Sequence, residues 1–304
     1  MTPPRSRRSY RTRPSQARVA LRRVLAAALL AVFFGVALWL GTGAFGGGGD
    51  DEVAPPTTTA VRQPPSLKIV FPEGFTRNEM IQRVGVVRNI AQRKRKITPR
   101  LSGAKYAAAS KAAKVPKQFR GDAKGIEGFL FPATYEFTAK TTAKQFVADQ
   151  LTAFGRNWAK VDLRTARAKN LTPYDVLIIA SMIEKEAKAS EERPKIAAVI
   201  YNRLKAGMSL GIDATIRYGL DVPGTEPLRV SQLESDNPYN TRNRTGLPPT
   251  PIANPGLASM RAAAKPADVD FLYFVAKPDK IHHFFTASES EFYAKACEYG
   301  FGCG

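Results

Sequence analysis

One apolar stretch, residues 171–187 (LTPYDVLIIASMIEKEA), constrains the fold of this chain more than any other. Thr172 can cap a helix that begins at Pro173, and neither a glycine nor a second proline interrupts the residues that follow. Because nearly every side of this helix is apolar from Val176 to Ile183, the pattern predicts a helix buried in the core of a globular domain.

Two carboxylates, Glu184 and Glu186, stand at the end of this apolar run. Burial of a carboxyl group disfavours its charged form and raises its pKa, and an acid that keeps its proton near neutral pH can protonate an oxygen leaving group. At about 100° per residue the two side chains lie on roughly opposite sides of the helix, so at most one can face a given cleft. The spacing does not indicate which one, and a solvated helix end is the alternative interpretation.

The residues from Val24 to Phe45 form an uncharged apolar run that is long enough to span a hydrocarbon core of about 30 Å. The eight arginines before it predict a cytoplasmic N-terminus. A cleaved signal peptide is the alternative, although its apolar region would be only about 7–15 residues long. The sequence thus predicts a basic cytoplasmic tail (1–23), a transmembrane helix (24–45), a flexible linker (46–65) and a domain outside the cytoplasmic membrane.

The formal net charge of +20 would ordinarily suggest a polyanionic partner such as nucleic acid. Much of this charge lies in the arginine-rich tail, and the rest follows the predicted membrane segment, where anionic wall polymers and lipid headgroups are found. A membrane-tethered DNA-binding protein is therefore the least favoured class, because only the short tail would face the cytoplasm.

After the linker, a short strand at 68–71, a capping box from Thr76 to Glu79 and a helix at 105–114 predict a small N-terminal subdomain. A helix that begins at Pro194 places Arg203 within its apolar stripe. A buried guanidinium needs a partner, and we expect that partner to be a carboxylate: Glu184, Glu186 or Asp213. Pairing of Arg203 with Glu186 would leave Glu184 as the free acid.

The sequence suggests no metal or cofactor site. The only two histidines, His282 and His283, are adjacent, and no third partner appears at the spacing of a zinc site or of a Ser-His-Asp triad. No glycine-rich nucleotide fingerprint occurs. Cys297 and Cys303 could close a small disulfide loop or remain two thiols.

Several long motifs occur in a fixed order between residues 69 and 299: EGFLFPATYEF (127–137), IASMIEKEA (179–187), YNRL (201–204), DATIRYG (213–219), PYNTRNRTGLPPTPIANPG (238–256), and FLYFVAKPD followed by HHFF (271–285). Together they resemble the YceG-like endolytic murein transglycosylases, which are membrane-anchored enzymes of bacterial cell-wall assembly. The resemblance implies an α+β fold with a small LysM-like subdomain at 66–115 and a transglycosylase catalytic domain at 116–304.

The resemblance also implies cleavage of the MurNAc–GlcNAc bond within nascent glycan strands, which leaves 1,6-anhydro-MurNAc ends and terminates strand elongation. Intramolecular attack by the MurNAc 6-hydroxyl needs only one residue that acts first as acid and then as base. The glutamate that opens the EKE triplet, Glu184, is the catalytic acid on this resemblance. The residues expected around it are Glu186 and Arg203 as supports and Asp213, Tyr239, Asn240 and Thr241 as substrate-binding cleft residues.

Four residues depart from the family pattern. Gly211 stands where Gln is common, Ala214 where Pro is frequent, Ala133 where Asp is frequent and Arg242 where an aromatic residue is frequent. Three of these departures, at 211, 214 and 242, lie where the resemblance implies substrate contacts.

A membrane-anchored peptidoglycan-binding protein without catalytic activity is the alternative function. On either interpretation we expect a single-pass protein of the cytoplasmic membrane whose partners are peptidoglycan glycan strands and the lipid bilayer. The resemblance adds peptidoglycan synthases (penicillin-binding proteins) as candidate partners.

Overall fold

The structure, a computed structural model, describes residues 65–301. The predicted cytoplasmic tail, the transmembrane segment and all but the last residue of the linker lie outside the described residues. No helix within 65–301 is long and apolar enough to cross a membrane. The described residues belong to one compact unit.

The first part of the fold is a β-α-α-β arrangement. Strand β1 (Leu67–Val70) leads into helix α1 (Arg77–Arg95), then helix α2 (Gly103–Ala112), and after a longer connection strand β2 (Thr134–Phe137) returns to pair antiparallel with β1. The capping box is present, because the Thr76 hydroxyl accepts from the Glu79 N–H and the Glu79 carboxylate accepts from the Thr76 N–H. Since β2 follows residue 115, the two-stranded sheet extends beyond the predicted end of the small subdomain.

The second part contains most of the helices and a hairpin. In chain order, its elements are α3 (Ala143–Trp158), α4 (Arg164–Ala168), α5 (Pro173–Glu186), α6 (Arg193–Lys205), α7 (Asp213–Gly219), α8 (Val230–Leu233), α9 (Leu257–Ala264), strands β3 (Tyr273–Ala276) and β4 (His283–Thr286), and α10 (Glu289–Glu298). Strands β3 and β4 pair antiparallel. The described chain is thus a mixed α+β fold, as expected, with ten α-helices and two small antiparallel sheets.

Helix α5 is the buried central helix that the sequence predicts. All residues from Val176 to Ile183 are buried, and the helix packs chiefly against α9 and α6. The side chain of Thr172 caps the first turn by accepting from the Asp175 N–H. The buried Ser181 hydroxyl donates to the carbonyl of Ile178 and accepts from the N–H of Ile252, so the one polar residue of the run is satisfied.

The aromatic residues of the 127–137 motif are mainly core residues. The ring of Phe129 is fully buried and lies edge-on to Phe119, with ring centroids 4.9 Å apart, and to Phe154, with centroids 5.1 Å apart. Such pairs stabilise the core beyond their simple area burial. The rings of this motif therefore pack in the hydrophobic core and do not form a surface that could contact a ligand.

Candidate functional site

A cleft of about 1220 Å³ lies between the two parts of the fold. Its walls come from the start of α1, the end of α2, the loop before Phe129, the end of α5, helix α7 with the following turn, and the segment around Thr250. This volume exceeds the usual 300–1,000 Å³ of a small-molecule pocket, so the cleft has room for more than a single sugar unit.

Glu186, the last residue of α5, lines this cleft. Burial, and to a smaller extent the negative charge of Asp213, raise the pKa of Glu186 to about 7. Within residues 65–301 no N–H or O–H group donates a hydrogen bond to the Glu186 carboxyl group. The side chain is therefore a carboxyl group that can hold or release a proton near neutral pH and is open to a ligand in the cleft.

Asp213, the first residue of α7, also lines the cleft and is held by Arg242. The Nε and Nη2 atoms of Arg242 both donate to one oxygen of Asp213, at 2.8 and 2.6 Å. Arg242 is one of the four residues that depart from the family pattern, so in this chain the carboxylate of Asp213 has a charged partner of its own.

A second buried carboxyl group, Glu127, forms part of the cleft wall. It accepts hydrogen bonds from the Arg77 N–H at 3.0 and 3.1 Å, from the Asn254 side chain at 2.6 Å and from the Tyr218 hydroxyl at 3.3 Å. Burial raises the pKa of Glu127 to about 7 in spite of these donors. Glu127 opens the 127–137 motif, and its position at the edge of an apolar aromatic run was the available signal that this carboxyl group is buried.

Two tyrosine rings, Tyr218 and Tyr239, line the cleft beside Glu127. Their centroids are 5.2 Å apart in an edge-to-face arrangement, and the Tyr239 hydroxyl is 2.8 Å from the Thr250 hydroxyl. Rings held in this way offer flat apolar faces next to hydroxyl groups, a combination that suits a carbohydrate.

Glu184 does not line the cleft. Its side chain is only 6% exposed; one oxygen accepts from the Gly256 N–H at the start of α9 at 2.9 Å, and the other lies 3.8 Å from Nη2 of Arg193. Glu73 lies near Glu184. Burial, and then the negative charge of Glu184, raise the pKa of Glu73. The carboxyl group expected to be the free acid is thus paired on the far side of α5, and the expected support, Glu186, faces the cleft.

The expectation that Arg203 pairs with a carboxylate is wrong. Its guanidinium donates to three backbone carbonyls, those of Leu272 at 2.6 Å, Leu210 at 2.9 Å and Ser209 at 3.2 Å, and lies over the ring of Tyr273. These carbonyls accept the guanidinium hydrogen bonds, and among the described residues no carboxylate pairs with Arg203, so the expected pairing with Glu186 is absent. Burial lowers the pKa of Arg203.

Asn240 and Thr241 were expected in the cleft but lie beneath it. The buried Asn240 amide donates to the carbonyls of Leu233 and Ser235, both at 2.8 Å, and the buried Thr241 hydroxyl accepts from the Ile212 N–H at 3.0 Å. They fix the long loop under the site, whereas Asp213 and Tyr239 reach the cleft as expected. Among residues 65–301 no group of three or more His, Cys, Asp or Glu side chains is arranged to hold a metal ion.

The chain is similar to known proteins over most of its length. The YceG-like family model matches residues 54–298. An endolytic murein transglycosylase of Bacillus subtilis (strain 168) is 40% identical over 154 residues, which cover 50% of this chain and 42% of the relative. An endolytic murein transglycosylase of Streptococcus pneumoniae serotype 2 (strain D39 / NCTC 7466) is 30% identical over 231 residues, which cover 71% of this chain and 41% of the relative.

The crystal structure of a yceG-like protein from Listeria monocytogenes superposes with a TM-score of 0.62 at 31% identity and covers 74% of each chain. The chain spans about two fifths of the length of the curated relatives it matches. The family match, the fold and the ordered motifs agree, and the chain belongs to the YceG-like family.

Proposed function

We propose that this protein is a lytic transglycosylase that cleaves murein glycan strands internally, with Glu186 as its catalytic acid and base. The observation that carries this proposal is the Glu186 carboxyl group, which lies in a large cleft, accepts no hydrogen bond from residues 65–301 and has its pKa raised to about 7. Both relatives are named endolytic murein transglycosylases, which supports this reaction class.

The proposed reaction needs one carboxyl group. Protonated Glu186 donates its proton to the oxygen that links C1 of MurNAc to GlcNAc, and the C1–O bond breaks. The MurNAc 6-hydroxyl attacks C1, a C1–O6 bond forms, and the Glu186 carboxylate takes the hydroxyl proton. The products are a GlcNAc with a free hydroxyl and a 1,6-anhydro-MurNAc end, and the acid is restored without water. A pKa near neutrality suits both steps, because about half of the groups are protonated near pH 7.

The neighbouring residues have supporting roles in this proposal. The negative charge of Asp213 favours the protonated form of Glu186 before the reaction and stabilises the positive charge that develops on the sugar ring. Arg242 fixes the position of Asp213. The rings of Tyr218 and Tyr239 support the sugar on either side of the bond that breaks.

We further propose that residues 24–45 anchor the protein in the cytoplasmic membrane as a single span, with the cleft on the extracytoplasmic side. The uncharged apolar run and the eight arginines before it support this topology. The linker then holds the cleft close to the membrane, where nascent glycan strands are the substrate within its reach. Peptidoglycan synthases are the partners that would supply these strands.

The decisive experiment compares Glu186→Gln with Glu184→Gln in the full chain. Uncrosslinked glycan strands are incubated with each protein, and the products are identified by mass spectrometry. Glu186→Gln should lower the rate of anhydro-product formation by about 10²–10⁴-fold, the usual contribution of a general acid. Glu184→Gln should keep measurable activity, because its carboxyl group is paired away from the cleft.

Three results would contradict this proposal. A folded Glu186→Gln protein with normal rates would remove the assignment of the acid. Products with reducing ends in place of anhydro ends would remove the reaction. Strand retention by the unmodified chain without any product would favour the wall-binding protein without catalysis.

A further inference from the structure

Five cationic side chains line the cleft, and none belongs to an ion pair among residues 65–301. They are Arg77, Lys111, Lys124, Lys185 and Arg217.

Three of these cations are occupied by uncharged groups. Arg77 donates to the Ser110 hydroxyl and the Ala107 carbonyl, Lys185 donates to the Gly74 carbonyl, and Arg217 donates to two carbonyls of the turn after α7. Lys111 and Lys124 differ from them. Both are exposed, and within the described part of the chain neither ammonium group donates a hydrogen bond.

The chain segments that carry Lys111 and Lys124 both contact Arg77 in the cleft wall. The guanidinium of Arg77 contacts Ser110, the residue before Lys111, with Nε 2.7 Å from the Ser110 hydroxyl oxygen. The N–H of Arg77 donates to Glu127, which follows Lys124 by three residues. Arg77 and Glu127 thus connect the two wall segments that carry these lysines, at the end of the cleft formed by the start of α1.

We propose that Lys111 and Lys124 bind the free carboxylates of the short peptides that branch from murein strands, so that this end of the cleft selects strands that carry acidic peptides. This inference rests on the proposed function for its substrate class. The sugar backbone between branches has no charge to pair with an ammonium group, whereas the peptides carry carboxylates. Both ammonium groups are exposed, so water and salt screen their attraction for carboxylates and each pair adds only modestly to the affinity.

The test measures binding and not cleavage. The dissociation constant of the full chain is measured for uncrosslinked strands that carry their peptides and for the same strands after carbodiimide-mediated amidation, which neutralises the carboxylates and keeps the peptides. The unmodified chain should bind the native strands roughly threefold to tenfold more tightly, as expected for two screened charge pairs.

Two double variants with the same change of charge decide where this preference arises. In Lys111→Gln with Lys124→Gln the ratio of the two dissociation constants should fall close to one. In Lys105→Gln with Lys114→Gln, which alters two exposed lysines nearby that do not line the cleft, the ratio should keep its value. Because each ratio is measured on one protein, partial misfolding affects both constants alike and cancels.

The inference is overturned if the unmodified chain binds both kinds of strand equally, if the cleft variant keeps the preference, or if the control variant loses it to the same degree. The last result would assign the preference to the overall positive charge. The proposed reaction fails separately, when the unmodified chain binds native strands with the expected preference but releases no anhydro product.

Discussion

At the scale of single residues, the site depends on which of two glutamates faces the cleft. The sequence predicted that Glu184 and Glu186 point to opposite sides of one helix, and the structure agrees. It could not predict the choice, because Glu184 is satisfied by the backbone N–H of Gly256, which is distant in sequence, and by Arg193 at the start of the next helix. The same limit applies to Arg203. Its partners are backbone carbonyls, which every residue has, so the sequence does not reveal them.

The raised pKa of Glu186 predicts how stability depends on pH. The folded pKa of about 7 lies above the ordinary value of 4.5, so the folded state binds the proton more tightly than the unfolded state does. The contribution that protonated Glu186 makes to the free energy of unfolding is then fully present below about pH 4.5, and it is lost as the pH rises through about 7. We expect Glu186→Gln to be more stable than the unmodified chain at pH 8 by about 1–2 kcal/mol, after allowance for partial exposure, and to differ little at pH 4.5.

Urea denaturation of both proteins at the two pH values checks this prediction. Glu184→Gln is the matched control and should be destabilised at both, since it weakens an existing ion pair and hydrogen bond. If Glu186→Gln shows the same stability difference at pH 4.5 and pH 8, Glu186 does not titrate as described.

At the scale of elements, the sequence predicted the helices well where the apolar pattern was long and the caps were regular. Helix α5 begins at Pro173 as predicted and ends at Glu186. The segment from Gly207 to Gly256 contains the short helices α7 and α8, which the sequence does not predict. Each is too short to show a helical period, and buried side chains such as Asn240 hold this segment from within.

The central position of α5 predicts a large cost for removing one of its core side chains. Leu177 is fully buried in the apolar run, so Leu177→Ala leaves a cavity and should lower the free energy of unfolding by about 2–5 kcal/mol. Val86 is half exposed on α1, and Val86→Ala should change the free energy of unfolding by less than about 0.5 kcal/mol. The two free energies, measured by denaturant titration, should differ clearly; similar small values would mean that α5 is not the centre of the core.

At the scale of the whole molecule, the long-range contacts are what the sequence could not provide. The resemblance suggested a small subdomain at 66–115, and the helices of that region formed as expected. Its sheet, however, is completed by β2, and the chain that separates β1 from β2 carries no sign of their pairing. One hydrophobic core includes residues of both parts, among them Phe71, Tyr106, Phe146 and Ile183.

These shared contacts predict that residues 66–115 do not fold as an isolated fragment. The Tyr106 hydroxyl is buried and donates to the Gln150 side chain of α3 at 2.7 Å, and the rings of Phe71 and Tyr106 both lie against Phe146, with centroids 6.0 and 6.1 Å away. Without α3 and β2 the fragment loses these partners and leaves β1 unpaired, and a core of about 50 residues has little stability to spare. The fragment should therefore give a poorly dispersed amide NMR spectrum and no cooperative thermal transition by circular dichroism.

A longer fragment, 66–160, contains β2 and α3 and should show more native-like dispersion. A well-dispersed spectrum from 66–115 alone would instead mean that its two helices and single strand suffice, and that the cleft lies between two independently stable parts.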